Sequence, residues 1–167
     1  VLIGGLGMGF SLRSALAALQ SDAQVVVAEL VPAVVRWNRD HFGELADHPL
    51  RDPRVSVQER DVGELIRRAQ GEFDAILLDV DNGPNGLTRS ANDHLYARAG
   101  LLAARNALRS RGVLGIWSAS QDRVFAQRLR DAAFEVEEIS LRGRGKGKGP
   151  RHTIWLATRP DGRTRAD

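Results

Sequence analysis

Hydrophobic positions along the chain alternate between short continuous runs and stretches spaced by three and four. LIGGLGMGF, residues 2 to 10, is an apolar strand running into a glycine-rich turn, and the SLRSALAAL that follows carries Leu12, Leu16 and Leu19 at helical spacing. AQVVVAEL (23 to 30) is a β-branched run suited to burial on both faces. Pro32 then stands where a first helical turn tolerates it, ahead of AVVRWNRDHF. The same unit recurs in RVSVQERD (54 to 61) with DVGELIRRA, where Leu65 and Ile66 are apolar and Arg67 and Arg68 turn outward. It recurs again in FDAILLDV (73 to 80) with the long helical stretch 92 to 112, stopped by Gly112, and in VLGIWSAS (113 to 120) with QDRVFAQRLRDAAF. FEVEEISLR and HTIWLATR close the pattern. Their connection is too short for a crossover helix, so they are expected to pair antiparallel.

Five strand and helix alternations before a terminal strand pair predict an α/β fold. It is a Rossmann-like, doubly wound, mostly parallel seven-stranded sheet with helices on both faces and a C-terminal antiparallel pair. One domain is expected over residues 1 to 158, with RPDGRTRAD (159 to 167) as a frayed polar tail. Ligands of such sheets sit beyond the carboxyl ends of the strands, near the point where strand order reverses. The glycine-rich turn, Glu29, Asp61 and Asp79 all fall at such ends.

Composition narrows the setting. A chain of 167 residues can bury about 70% of its unfolded surface without covalent staples. It has no cysteine, which excludes disulfides and thiolate metal sites and suits the reducing cytoplasm where the protein is expected to work. No apolar run approaches the roughly 20 residues of a membrane span. The sequence opens at Val1 inside the first strand, so further residues are expected upstream in the natural protein. With 24 basic and 21 acidic residues the net charge is +3, a near balance that does not mark a nucleic-acid binder. Much of the bias sits in RGRGKGKGPR (142 to 151), where five cations alternate with glycines. That stretch reads first as a solvated connection, with phosphate binding as the alternative.

Gly5, Gly7 and Gly9 form a G-x-G-x-G turn that lets backbone approach a ligand, or equally lets a helix pack tightly on a strand. Glu29 lies 22 residues beyond Gly7 and ends the second strand, where a carboxylate can take both hydroxyls of a ribose. A dinucleotide fingerprint would be G-x-G-x-x-G; here the third glycine comes one residue early. Asp61 and Val62 close the third strand. Asp61 can accept from an adenine amino group or cap the helix that follows, and one carboxylate can serve both.

The stretch LLDVDNGPNG (77 to 86) ends an apolar run in Asp79, Asp81 and Asn82 before Pro84 and two glycines turn the chain. If the strand continues locally, Asp79 and Asp81 at i and i+2 point to one side and make a seat for a cationic amine. The same three residues could instead hold a hard cation, though only Asp122 is available to complete such a set after the next strand. His41, His48, His94 and His152 are scattered without metal-ligand spacing, so no metal is expected. No G-x-S-x-G elbow surrounds Ser118 or Ser120. Trp37, Trp117, Trp155 and Tyr96 fit packing positions.

From Val1 to about Ser118 the chain resembles the S-adenosylmethionine-dependent transferases, and within them the spermidine synthases, which are aminopropyltransferases. VLIGGLGMG is similar to that family's VLVIGGGDGG turn, AELVPAVVRWNRDHF to its VEID segment, and HPLRDPRVSVQERDVGEL to its DDPRV strand and GDA motif. FDAILLDVDNGP resembles its YDVIIVDSSDP loop, and NDHLYARAGLLAARNALRSRGVLGIW its FY helix and the strand after it. Methyltransferases of this fold carry an acid two residues before the first glycine of G-x-G-x-G; here Ile3 stands there, as in spermidine synthases.

The resemblance implies a nucleoside pocket in which Gly5, Gly7 and Gly9 approach the ligand, Glu29 holds the ribose, and Asp61 with Val62 the adenine. It implies Asp79 as the catalytic carboxylate, with Asp81 as a second acid. The co-substrate would be decarboxylated S-adenosylmethionine or S-adenosylmethionine, the partner a small amine, and the assembly a homodimer. Two positions depart from the family: Gly7 replaces an aspartate near the transferred group, and DSSDP has become DVDNGP. Methyl transfer to another acceptor and a non-catalytic nucleoside-binding homologue therefore stand as alternatives. Because a sulfonium is already a good leaving group, holding the amine, about 7 to 11 kcal/mol, should matter more than removing its proton, about 3 to 5 kcal/mol.

Overall fold

The computed structural model describes residues 1–80, 93–142 and 151–161. The described strands are β1 (Leu2–Gly4), β2 (Val25–Ala28), β3 (Val55–Gln58), β4 (Phe73–Leu78), β5 (Leu108–Ser118), β6 (Glu135–Arg142) and β7 (Arg151–Thr158). They form one seven-stranded sheet in the order β3-β2-β1-β4-β5-β7-β6. Neighbours from β3 through β5 are parallel. The β5–β7 and β6–β7 pairs are antiparallel. The doubly wound sheet with its antiparallel terminal pair is the fold expected from the hydrophobic pattern.

Helices α1 (Phe10–Ala18), α2 (Pro32–Asp40), α3 (Val62–Arg68), α4 (Asp93–Tyr96), α5 (Arg98–Ala107) and α6 (Arg123–Asp131) connect these strands. Consecutive β1 residues serve opposite faces, as strand geometry requires. Leu2 joins a core containing Ile66 of α3, Leu101 of α5 and Phe125 of α6. Ile3 joins a second core with Leu12 and Leu16 of α1 and Val35 of α2.

The DPRV stretch has a structural task. The Arg54 guanidinium donates two hydrogen bonds to Asp52 and three more to the carbonyls of Leu16, Leu19 and Gln20. The last turn of α1 contains no basic residue, so a guanidinium brought from the start of β3 satisfies the carbonyls left open at the helix end.

Several element boundaries differ from the expected ones. The helix expected over 92 to 112 is divided: Ala97 is extended (φ −69°, ψ 158°), and a Cβ on Gly100 would run into the carbonyl oxygens of His94 and Leu95. A continuous rod is replaced by a tight corner that only glycine permits. Helix α5 also ends at Ala107 rather than at Gly112, because Leu108 buries fully beside Phe73 on the sheet. Pairing then jumps from Phe73–Leu108 to Ala75–Val113, and Arg111 takes φ +63° in the excursion between them. Arg159 donates to the carbonyls of Arg105, Asn106 and Leu108, and Asp161 accepts from Ser110. The start of the polar tail is thus fastened rather than frayed. Strand β3 stops at Gln58 instead of reaching Asp61, β4 stops at Leu78, and α6 covers 123–131 of the expected 121 to 134.

Of the three tryptophans, Trp155 is core, Trp37 is 48% exposed, and Trp117 is half-buried and stacked on His152 at 5.3 Å.

Candidate functional site

The parallel register decides which residues meet. Gly4 lies opposite Ala28 of β2 and Leu78 of β4. The residues that follow, Gly5, Glu29 and Asp79, therefore leave the sheet abreast. The chain runs outward from β1 to β3 and returns to β4 on the other side of β1, so this is the reversal point where such sheets bind ligands. A cleft of about 300 Å³ opens there, lined by Gly5, Gly7, Glu29, Asp61, Val62 and Asp79, together with Ala28, Leu30, Val31, Arg60 and Val80. Of the expected site residues, Gly9 lies outside this lining. Asp81, Asn82 and the rest of 81–92 lie outside the described residues, as does 143–150 of the basic loop.

Backbone geometry explains the glycines. Gly5 has φ +90°, and a Cβ there would stand 2.5 Å from the Asp79 carbonyl oxygen. Gly7 has φ +51° and an open Cβ direction, with nothing within 4 Å. Gly9 (φ +81°) precedes α1 in the left-handed region and packs against Pro49 and Asn38.

Glu29 is buried, 8% exposed, yet both of its oxygens are engaged by backbone. Oε2 accepts from the Leu6 amide at 2.9 Å and Oε1 from the Val31 amide at 2.8 Å. Each carboxylate oxygen keeps a second acceptor site. Glu29 is thus fixed in orientation while retaining capacity for two hydroxyls.

Asp61 takes the first of its expected parts, the helix cap, and stands at the cleft. It is the N-cap of α3, with Oδ1 accepting from the Glu64 amide at 3.0 Å, and it borders the cleft. Arg67 and His94 approach the same oxygen at 3.9 and 3.7 Å. Val62 is buried against Gly4, where a Cβ would stand 2.9 Å from its side chain. A glycine in β1 therefore makes room for the start of α3.

Two contributors escaped sequence reasoning. Ser11, in the first turn of α1, donates from Oγ to Asp79 Oδ2 at 2.5 Å. Asn38, 3% exposed on α2, donates from Nδ2 to the Gly7 carbonyl at 2.8 Å and to Val34 at 2.9 Å. The signal for Asn38 was present: an amide three residues after Val35, on the apolar stripe of its helix. Ser11 gave none, since its partner lies 68 residues away in the chain.

Among the described residues no group of three or more His, Cys, Asp or Glu could hold a metal ion. No described helix is long and apolar enough to cross a membrane.

A family model for the spermine/spermidine synthase domain matches residues 1–128. The chain belongs to that family. The spermidine synthase of Thermotoga maritima superposes with a TM-score of 0.75 at 20% identity, over 96% of this chain and 53% of that one. A spermidine synthase solved with the transition state analogue AdoDATO gives 0.72 at 19%, over 96% and 52%. A Burkholderia thailandensis methyltransferase, 1,6-didemethyltoxoflavin-N1-methyltransferase, gives 0.64 at 22%, over 96% and 70%. At these identities the likeness shows a shared fold. The chain spans about half the length of the two spermidine synthases. No curated protein sequence matches it.

Proposed function

We propose that this spermidine-synthase-family chain binds decarboxylated S-adenosylmethionine at the reversal point and directs transfer of its aminopropyl group to a small amine. The observation that carries the reading is the register bringing Gly5, Glu29 and Asp79 abreast at one cleft.

The residues present fit the nucleoside. Glu29 is oriented by two amides and keeps two acceptor sites for ribose hydroxyls. Asp61 uses Oδ1 as a helix cap, leaving Oδ2 for an adenine amino group, with Val62 beside it. Gly5 and Gly7 keep side chains out of the cleft. Bound there, the sulfonium supplies a carbon whose bond to sulfur breaks as the amine nitrogen bonds to it, the electron pair leaving on a neutral thioether. Asp79, exposed at the cleft, attracts the cationic amine, orients its nitrogen, and accepts the proton it loses. Asp81 would add a second acid from beyond the described residues.

Methyl transfer is the second reading, and one feature favours it. Gly7 offers an open backbone instead of a carboxylate beside the cleft, so the side chain at this position does not repel the carboxylate of intact S-adenosylmethionine.

Calorimetry of the full-length protein with both forms separates the two readings. Preference for the decarboxylated form, with turnover of 1,4-diaminobutane, supports aminopropyl transfer. Preference for the carboxylated form, with no diamine turnover, rejects it in favour of methyl transfer. Binding of neither points to a non-catalytic homologue.

A further inference from the structure

The Ser11 hydroxyl is used across the fold rather than within its own helix. Helix α1 is preceded by Gly9 in the left-handed region and has no side-chain cap. Ser11 is the second residue of the helix, past the N-cap, and its hydroxyl donates to a carboxylate 68 residues away. The distance of 2.5 Å falls in the charge-assisted range.

Asp79 is held by the glycine-loop side of the site at three points. Its amide donates to the Gly4 carbonyl at 2.9 Å, its carbonyl abuts Gly5, and Oδ2 accepts from Ser11. Among the described residues Oδ1 accepts no hydrogen bond. A hydroxyl that donates still carries two lone pairs. Asp79 Oδ1 and Ser11 Oγ together therefore offer adjacent acceptors to a group with two or more N–H bonds, which a primary amine or ammonium has and a hydroxyl acceptor lacks.

We propose that Ser11 is a positioning residue for amine transfer: it fixes the Asp79 carboxylate and supplies a second acceptor to the nitrogen of a primary amine. This rests on the amine-transfer reading given above.

Steady-state kinetics of the full-length protein with decarboxylated S-adenosylmethionine and 1,4-diaminobutane test it, alongside calorimetry with the product nucleoside 5′-methylthioadenosine. Ser11→Ala should lower kcat/KM for the diamine about 10- to 100-fold, the size of a lost hydrogen bond to a charged group. Nucleoside affinity should stay within about 2-fold, and Ser11→Thr should restore most of the rate because it keeps the hydroxyl. In an Asp79→Asn background, Ser11→Ala should add little, since residues acting as a unit are not additive. Wild-type turnover with Ser11→Ala unchanged, equal losses in Ser11→Ala and Ser11→Thr, or full additivity with Asp79→Asn would overturn the role of Ser11 alone. A wild type that neither binds nor turns over diamine overturns the amine-transfer reading and this inference with it.

Discussion

Gly5 and the Asp79 carbonyl are in such close approach that a Cβ on Gly5 would stand 2.5 Å from the carbonyl oxygen. The glycine-rich turn after β1 and the acidic end of β4 are one mechanical unit, and the absence of a side chain at Gly5 holds them together.

Gly5→Ala combines that collision with φ +90°, a backbone region that costs an L-residue about 1 to 2 kcal/mol by itself. The variant should lose at least about 2 kcal/mol of stability and bind nucleoside more weakly. Urea unfolding checks this, and a midpoint equal to that of the wild type would contradict it.

Glu29→Gln replaces one oxygen with an amide nitrogen that cannot accept from Leu6 or Val31. One of those donors then loses its partner in a buried setting, at a cost of about 1 to 3 kcal/mol. Nucleoside affinity should fall with stability. If thermal melting is unchanged while affinity drops, Glu29 serves the ligand alone and not the turn.

Asp79→Asn keeps the side-chain shape and removes the charge. Turnover with amine should drop by about 10² to 10⁴, with nucleoside affinity largely kept. Retention of full turnover would exclude Asp79 as the group that receives the amine and its proton.

Acid should loosen the end of α1. Hydrogen bonding from Arg54 holds the Asp52 carboxyl down to about 2, from an ordinary value of 3.8. A carboxyl with a depressed folded pKa stabilises fully above its unfolded value, and that contribution fades as pH falls through the folded one. Between about pH 4 and pH 2, the unfolding free energy of the wild type should fall with acid. Asp52→Asn should fall less steeply over the same range. Identical slopes in urea titrations would show that the pair contributes nothing to folding.

Asn38→Leu should fit the apolar stripe of α2 by volume and yet destabilise by about 1 kcal/mol, because the part-buried hydrogen bond to the Gly7 carbonyl is lost. A hydrogen-exchange increase confined to the glycine turn would mark the loss as local; no increase there would contradict the clamp.

The sequence by itself determined the order of strands and helices, the antiparallel terminal pair, and the carboxylates following β2 and β4. Those features are local: they follow from side-chain periodicity and from where an apolar run meets a charged residue. Tertiary structure decided where those carboxylates meet. Register brought Gly5, Glu29 and Asp79 abreast, and that depends on pairing between segments dozens of residues apart. The corner at Ala97, the early end of α5 at Leu108 and the capping of α1 by Arg54 were likewise set by packing, which overrode helical propensity wherever a buried contact or an unsatisfied carbonyl was at stake. Ser11 shows the limit most plainly: its place in the first turn of a helix names no partner, and only the folded chain supplies the carboxylate to which it donates.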